Sequence, residues 1–440
     1  MKRVLAVLVA GLFAGGAAGA DLMQVYQDAL ANDAKFSAAR AQFEAGQEKV
    51  VQGRAGLLPQ IGVSANTTYT DADVRTRVPP GSSSPSYNSP SYNSNGYGVQ
   101  LTQPLFRWQN WVQFKQGELQ TALAETQFGI ARQDLVLRVA EAYFNVLNAQ
   151  DALAAVTQLR TAAGEQLELA KTSFEVGTVT ITDVHEAQSR FDLASAQEIA
   201  AQNQLEVARQ TLAQIIGRQP EALAGLREGV ALQRPQPENI ADWVAAAESD
   251  SFGVQAQQLA REIAAREVER ARAGHLPTVD IVASHGVNNR PQPSTERSEA
   301  TTIGLQLNVP LYAGGRVSSV SREAAALRLK ADADLEDARR SAALAARQSW
   351  LGVTSGMAQV RALEAARVSS SSALDANKLG YEVGVRINID VLNAQTQLAD
   401  TLQKLARARY DTLLAQLRLK AAAGTLGEDD VLAINALLVP

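Results

Sequence analysis

The 440-residue chain contains no cysteine. That excludes a disulfide framework, thiolate catalysis and an N-terminal Cys carrying a lipid, and it suits a chain that crosses an oxidising compartment. Histidine is scarce too: His185, His275 and His285 are scattered, and His185-Glu186 lacks the second His of a zinc-protease helix. No phosphate-cradling Gly loop occurs outside the N-terminal stretch Gly11 to Gly19. The Asp and Glu residues read as a solvated face rather than acid/base pairs. These gaps leave no catalytic constellation, so neither an enzyme nor a cofactor nor a metal site is expected. The formal net charge is −5 and no Lys/Arg block is present, which argues against a nucleic-acid partner. After the first residues no apolar run approaches the roughly 20 residues of a transmembrane helix. A membrane role would therefore require a β-barrel.

The first residues are Met1-Lys-Arg, an apolar run from Val4 to Ala14, and Ala18-Gly-Ala20. This is the n-region, h-region and A-x-A site of a secretory signal peptide, cleaved after Ala20.

What the chain does have is a duplication. Phe174-Glu-Val-Gly-Thr-Val-Thr-Ile-Thr-Asp183-Val reappears as Tyr381-Glu-Val-Gly-Val-Arg-Ile-Asn-Ile-Asp390-Val, displaced by 207 whether 174 is subtracted from 381 or 183 from 390. Each copy lies between two long, Pro-free helical patterns. Gly177 and Gly384 sit where a helix stops in the left-handed conformation. Thr182/Asp183 and Asn388/Asp390 offer N-cap oxygens for a returning helix. The chain is thus predicted to form one long helical hairpin twice. Its outgoing helix from about Leu105 to Phe174 would be roughly 105 Å long if continuous, which implies coiled-coil-like or barrel packing. Many small residues, such as Ala324 to Ala326, permit close helix approach.

Each hairpin is preceded by a helical segment, 22–57 and 243–274, and then by alternating runs. Ile61, Val63, Ala65, Thr67 and Tyr69 alternate with Gly62, Ser64, Asn66 and Thr68. Tyr97, Val99 and Leu101 alternate with Gly98 and Gln100 and end at Pro104. Val279, Ile281 and Ala283 repeat the theme, as do Ile303, Leu305, Leu307 and Val309. Period two with one apolar and one small or polar face predicts four strands. The Ser/Pro-rich stretch from Val78 to Pro90 and the polar stretch from Asn288 to Glu299 are predicted loops. Gly56-Leu-Leu-Pro59 matches Gly274-His-Leu-Pro277 at an offset of 218, and Pro104-Leu-Phe is echoed by Pro310-Leu-Tyr. Four strands cannot close a barrel, and an open edge is not tolerated in lipid. Several chains must pool their strands: two would give the minimum, three would give 12.

Leu22-Met-Gln-Val-Tyr-Gln-Asp-Ala, Leu57-Leu-Pro-Gln, Ala142-Tyr-Phe-Asn-Val-Leu-Asn-Ala149, Thr180-Ile-Thr-Asp-Val, Gly274-His-Leu-Pro and Gly380-Tyr-Glu-Val-Gly together resemble the outer membrane efflux protein family, the TolC-like channel-tunnels of type I secretion. The resemblance covers Asp21 to about Ala436. It implies an α+β membrane protein: a homotrimer whose pooled strands form a 12-stranded outer-membrane β-barrel, continued by long α-helical hairpins as a periplasmic α-barrel. It implies a signal peptide at 1–20, a first structural repeat at 21–217, an equatorial connector at 218–250, a second repeat at 251–424 and a C-terminal equatorial segment at 425–440. The partners implied are a periplasmic adaptor (membrane fusion) protein, an inner-membrane ABC or proton-driven transporter, and outer-membrane lipid. The function implied is an exit duct for type I protein secretion and for drug or small-molecule efflux.

By the same resemblance, Tyr381 and Arg386 tie the inner hairpin to the outer one, through Asp183 within a chain and Thr182/Asp183 of a neighbour. Asp390 forms a constricting acidic ring. Asn393 stands where a close relative has a second Asp, so one carboxylate per copy would line the narrowest point, without strong divalent block or cation selectivity. The adaptor would dock on the tips, at Gly177, Thr178, Val179, Gly384 and Val385. Read from the residues alone, Asp390 and Asn393 share a helix face and carboxylate rings favour cations. The alternative on the residues alone is that Asp183 and Asp390 are N-caps, although Asn388 can cap in place of Asp390, and that Tyr381 and Arg386 are ordinary tip packing. A dedicated multidrug-efflux duct is the other reading within transport, and a periplasmic coiled-coil adaptor with no pore is the reading from another class. The four alternating strands argue against the adaptor.

Overall fold

The computed structural model describes residues 19–75, 87–88, 91–227, 229–292 and 295–439. All but the last two residues of the expected signal peptide, and most of the expected 78–90 loop, lie outside these. Ala20, at the end of the expected signal peptide, forms a parallel bridge with Leu223. No helix among the described residues is long and apolar enough to cross a membrane. The chain divides into two compact units: Met1–Ala41, Gln127–Gln255 and Asp337–Pro440 form one, and Gln42–Thr126 with Ala256–Glu336 the other.

The second unit holds the sheet. Strands β1 (Gln60–Asp71), β4 (Ser91–Phe106), β5 (Thr278–Gln292) and β6 (Thr295–Asn308) pair antiparallel in the order β1-β4-β5-β6. A separate short ladder joins β2 (Val74–Arg75) to β3 (Tyr87–Asn88). The registers Val63↔Val99, Val99↔His285 and Ala283↔Ile303 bring the apolar alternation of all four strands to one face. Ser64, Gly98, Gly286 and Ala300 lie in one row on the other. On the apolar face Val63 and Ile303 are each 78% exposed. On the small-residue face Asp280 is buried, and Arg107 donates to it twice, from Nε at 2.7 Å and Nη2 at 2.6 Å. A bidentate pair of this geometry fixes the start of the following helix against β5.

Two expectations for the sheet change. The alternation predicted to stop at Pro104 continues to Phe106, because the register shifts between Pro104 and Phe106 and a bulge accommodates a residue without an N–H. The predicted 288–299 loop is mostly strand: Asn288↔Ser298 and Asn289↔Arg297 extend the β5–β6 ladder. Polar composition there reflects strand surface rather than turn.

Most of helices α2 (Ala34–Ala55) and α6 (Phe252–Arg272) and the first parts of α3 (Trp108–Glu175) and α7 (Arg316–Glu382) complete this unit. Small residues set the spacing as expected: a Cβ on Gly117 of α3 would come within 2.6 Å of the Lys49 carbonyl on α2.

The first unit contains α1 (Leu22–Asn32), α4 (Ile181–Ile216), α5 (Ile240–Asp250), α8 (Asn388–Ala422), α9 (Glu428–Asn435) and the remainder of α3 and α7. Its core gathers Leu22 and Val25 of α1, Leu135 and Tyr143 of α3, Leu212 of α4, Leu413 of α8 and Ile434 of α9. Phe144 stacks on Tyr410 at 5.5 Å between centroids. The Tyr410 hydroxyl donates to Asp151 at 2.7 Å. Burial pushes the Asp151 carboxyl above its ordinary pKa against the opposing pull of that hydrogen bond and of Arg409.

The expected single helices 22–57 and 243–274 are each broken in two. Asp33 leaves the helix at φ −66°, ψ 119°, and its carboxylate accepts from Phe36 N at 2.7 Å. Ser251 leaves at φ −62°, ψ 135°, and its Oγ accepts from Val254 N at 3.4 Å. Subtracting 33 from 251 gives 218, so the break is itself part of the duplication. In both cases a short polar side chain captures a backbone donor three residues on and starts a new helix.

Candidate functional site

The two tips are built alike. After α3, Gly177 adopts φ +78°, Gly177 N donates to Phe174 O at 2.9 Å and Thr178 N to Ser173 O at 2.9 Å. After α7, Gly384 adopts φ +76°, Gly384 N donates to Tyr381 O at 3.1 Å and Val385 N to Gly380 O at 2.8 Å. Both glycines close their helices in the left-handed region, and the freed carbonyls are satisfied within the last turn. Gly177, Thr178, Gly384 and Val385 are exposed and Val179 is half-buried. Val176, Val383 and Ile387 add exposed apolar surface to the tips.

The helix starts differ from expectation. The N-cap of α4 is Thr180, not Thr182 or Asp183. Asp183 stands three residues in and closes a capping box, accepting from Thr180 N at 2.8 Å and Thr180 Oγ1 at 2.7 Å. At the second tip the offset of 207 carries Thr180 to Ile387. Ile387 is the N-cap of α8 and has no side-chain oxygen to offer, so that start carries no side-chain cap. Asn388 is not a cap either: it is buried in the first turn and its Oδ1 has no partner. Asp390, the counterpart of Asp183, faces Arg386, with Oδ2 3.6 Å from Nη1. Both side chains reach solvent, so the pair contributes about 0–1 kcal/mol. A Thr in one tip and an Ile in the other thus decide that one carboxylate is spent on its own helix while the other is not.

Within one chain, Asp183 is engaged by Thr180 and Arg386 by Asp390, and neither bond connects the hairpins. Thr182 is exposed and Tyr381 half-buried. Near the tips, a polar link between hairpins comes instead from Arg190 of α4, whose Nη2 donates to Asn393 Oδ1 on α8 at 3.1 Å. Beneath it, Leu392 packs with Ala163, Leu167 and Ala170 of α3 and Ala187 of α4. No motif in the sequence singles out Arg190. Its signal is position: it lies seven residues after Asp183, hence on the same face of α4.

The sequence profile of the family described as outer membrane efflux protein matches residues 25–218 and 243–425. The chain belongs to the outer membrane efflux protein family. It is 34% identical over 444 residues to outer membrane protein TolC of Vibrio cholerae, covering 99% of this chain and 98% of that one. It is 31% identical over 446 residues to the proteases secretion protein PrtF of Dickeya chrysanthemi, covering 99% and 95%. The fold is shared with the Campylobacter jejuni CmeC outer membrane channel, at a TM-score of 0.79 and 15% identity over 99% of this chain and 97% of that one. The efflux family is one of channels and transport proteins. This member resides in the outer membrane, with its helical part in the periplasm.

Proposed function

We propose that the protein is the outer-membrane exit duct for type I protein secretion and small-molecule efflux, working as a homotrimer with no catalytic chemistry of its own. The observation that carries this reading is the sheet: one largely apolar face, interrupted by His285 and Thr301, leaves Val63, Tyr69, Ile303 and Leu305 exposed, and neither β1 nor β6 has a partner on its outer edge among the described strands. In lipid an apolar face is favourable, whereas an unpaired edge costs several kcal/mol for each unsatisfied group. Three copies supply 12 strands and no edge. The row of Ser64, Gly98, Gly286 and Ala300 then faces water inside the barrel.

The repeats 21–217 and 251–424 supply the helical wall. The 218–250 connector and the 425–440 segment form an equatorial belt, and 1–20 is the secretion leader. At the periplasmic end Asp390 forms a ring of one carboxylate per copy, with Asn393 beside it. Thr182 and Asp183 face Tyr381 and Arg386 of a neighbouring copy. An adaptor docks on Gly177, Thr178, Val179, Gly384 and Val385, and with an inner-membrane ABC or proton-driven transporter it opens the gate. The similarity to a proteases secretion protein, PrtF, favours protein among the cargoes.

Extraction of the processed protein from outer membranes in mild detergent, followed by native mass measurement and planar-bilayer recording, tests this. A trimer with discrete conductance steps is expected. A water-soluble monomer whose four strands are buried would sink it.

A further inference from the structure

The trimer reading requires β6 of one copy to pair with β1 of the next, and it leaves open which residues meet. We infer from the internal repeat that the seam closes with Gly304 facing Thr68, Gln306 facing Asn66 and Ile303 facing Tyr69 of the next copy. The inference rests on the trimer reading and adds the register to it.

In an antiparallel pair the numbers of facing residues have a constant total. For β1 and β4, where Ser64 faces Gly98, that total is 162. For β5 and β6, where Gly286 faces Ala300, it is 586. The sequence gives two repeat offsets: 218 from Pro59 to Pro277, and 206 from Pro104 to Pro310. Adding both offsets to 162 gives 586, so the two hairpins correspond residue for residue. The β4–β5 ladder, where Gly98 faces Gly286, joins the end of the first repeat to the start of the second. In a closed ring of three copies the remaining kind of junction joins the end of the second repeat to the start of the next copy's first. Moving 98 forward by 206 gives Gly304, and moving 286 back by 218 gives Thr68. Every facing pair at the seam then totals 372.

The side chains agree with this register. Tyr97 faces Val287 in the β4–β5 ladder. The seam puts Ile303 opposite Tyr69, again an aromatic against a β-branched residue, with the two strands' contributions exchanged. Leu101 against Ala283 becomes Leu307 against Ala65. Both Ile303 and Tyr69 lack cover in the single chain, the latter at 68% exposed. A slip of one residue turns the apolar set of one strand to the polar face of the other. A slip of two in one direction sets Ile303 against Asp71 on the apolar face. In the other direction it sets Ile303 against Thr67 and Tyr69 against Thr301, so the aromatic pair is lost.

The absence of native cysteine makes the test clean. A Cβ at Gly304 meets nothing within 4 Å, so Thr68→Cys with Gly304→Cys fits the fold. Oxidised in membranes, this double variant of the full chain should give covalent dimers and trimers reversed by reductant. Asn66→Cys with Gln306→Cys is the second, independent pair and should do the same. Thr68→Cys with Thr302→Cys, or with Gln306→Cys, should give at least about fivefold less, since diagonal positions lie roughly 7–8 Å apart and beyond disulfide reach. Strongest cross-linking in a slipped pair overturns the register and keeps the trimer. Trimers by native mass with no cross-link in either matched pair also overturn the register. A monomer by native mass overturns the trimer reading itself.

Discussion

Arg190 of α4 holds Asn393 of α8 through a 3.1 Å hydrogen bond, one turn beyond Asp390. The contact joins the two hairpins of one chain next to the carboxylate proposed for the constriction. It makes position 393 both a strut and a pore-lining candidate.

Asn393→Asp should therefore have two effects at once. The bond becomes charge-assisted and gains about 0.5–1 kcal/mol at this exposed site. A second carboxylate per copy also joins Asp390 on the same helix face. In planar bilayers the variant should keep a low resting conductance and show a raised cation preference by reversal potential in a salt gradient. Arg190→Ala should raise resting conductance. If neither quantity moves in either variant, Asn393 lies away from the constriction.

The Arg386–Asp390 pair gives the complementary case. Arg386→Ser combined with Tyr381→Phe should raise resting conductance several-fold, because in the proposed trimer these two residues face Thr182 and Asp183 of a neighbouring copy, in links of about 0–1 kcal/mol each repeated three times. Asp390→Ala should lower cation preference. Asp183→Asn should act differently: it weakens the capping box and so loosens the first tip by about 1 kcal/mol, without a large change in selectivity. Equal selectivity losses for Asp183→Asn and Asp390→Ala would contradict the distinction between a capping and a pore carboxylate.

Gly384→Ala isolates backbone strain, since φ is +76° and an added Cβ meets nothing within 4 Å. The left-handed conformation costs an L-residue about 1–2 kcal/mol, concentrated in the tip. The thermal midpoint of the trimer should stay near that of the parent protein, while cross-linking of an adaptor to Val385 falls. Gly177→Ala should weaken cross-linking to Thr178 in the same way. Undiminished docking in both variants would remove the tips from the interface.

Why some of this was legible in the chain and some was not follows from the range of the forces involved. Ile61 to Tyr69 alternate because one face meets a different environment, and that period is written locally. Gly177 and Gly384 mark helix ends because a positive φ is a single-residue requirement. The breaks at Asp33 and Ser251 hide inside an uninterrupted apolar period. Asp33 is held in part by Arg138, 105 positions away, through bonds of 2.9 and 3.0 Å. The caps lie one to three residues before the expected oxygens because the tips offer several oxygens within one turn. Comparing the tips through their own offset, with Thr180 against Ile387, points to the right one. Asn393's partner could not be read at all, since nothing local to 393 specifies which helix arrives beside it.

The same distant contact at Asp33 gives a pH prediction, and Asp151 supplies its opposite. Hydrogen bonds from Arg138 hold the Asp33 carboxyl below its ordinary pKa, with the Phe36 amide helping and burial opposing. A group lowered on folding contributes stability above its unfolded pKa of about 3.9, and that contribution is lost as pH falls through the lower folded value. Asp33→Asn keeps the Phe36 cap but removes the ion pair. It should cost about 2–3 kcal/mol at pH 7, less than the roughly 3–5 of a fully buried pair because Arg138 remains 21% exposed. The deficit should shrink in acid. Asp151 is raised by burial, so its contribution is present below the unfolded pKa and disappears as pH rises through the folded value. Asp151→Asn still accepts from Tyr410 and should be neutral or stabilising by about 1 kcal/mol at pH 7, with no gain near pH 3. Thermal unfolding of both variants between pH 3 and pH 8 distinguishes the two carboxylates. Parallel pH profiles for Asp33→Asn and Asp151→Asn would show that burial and ion pairing do not separate them.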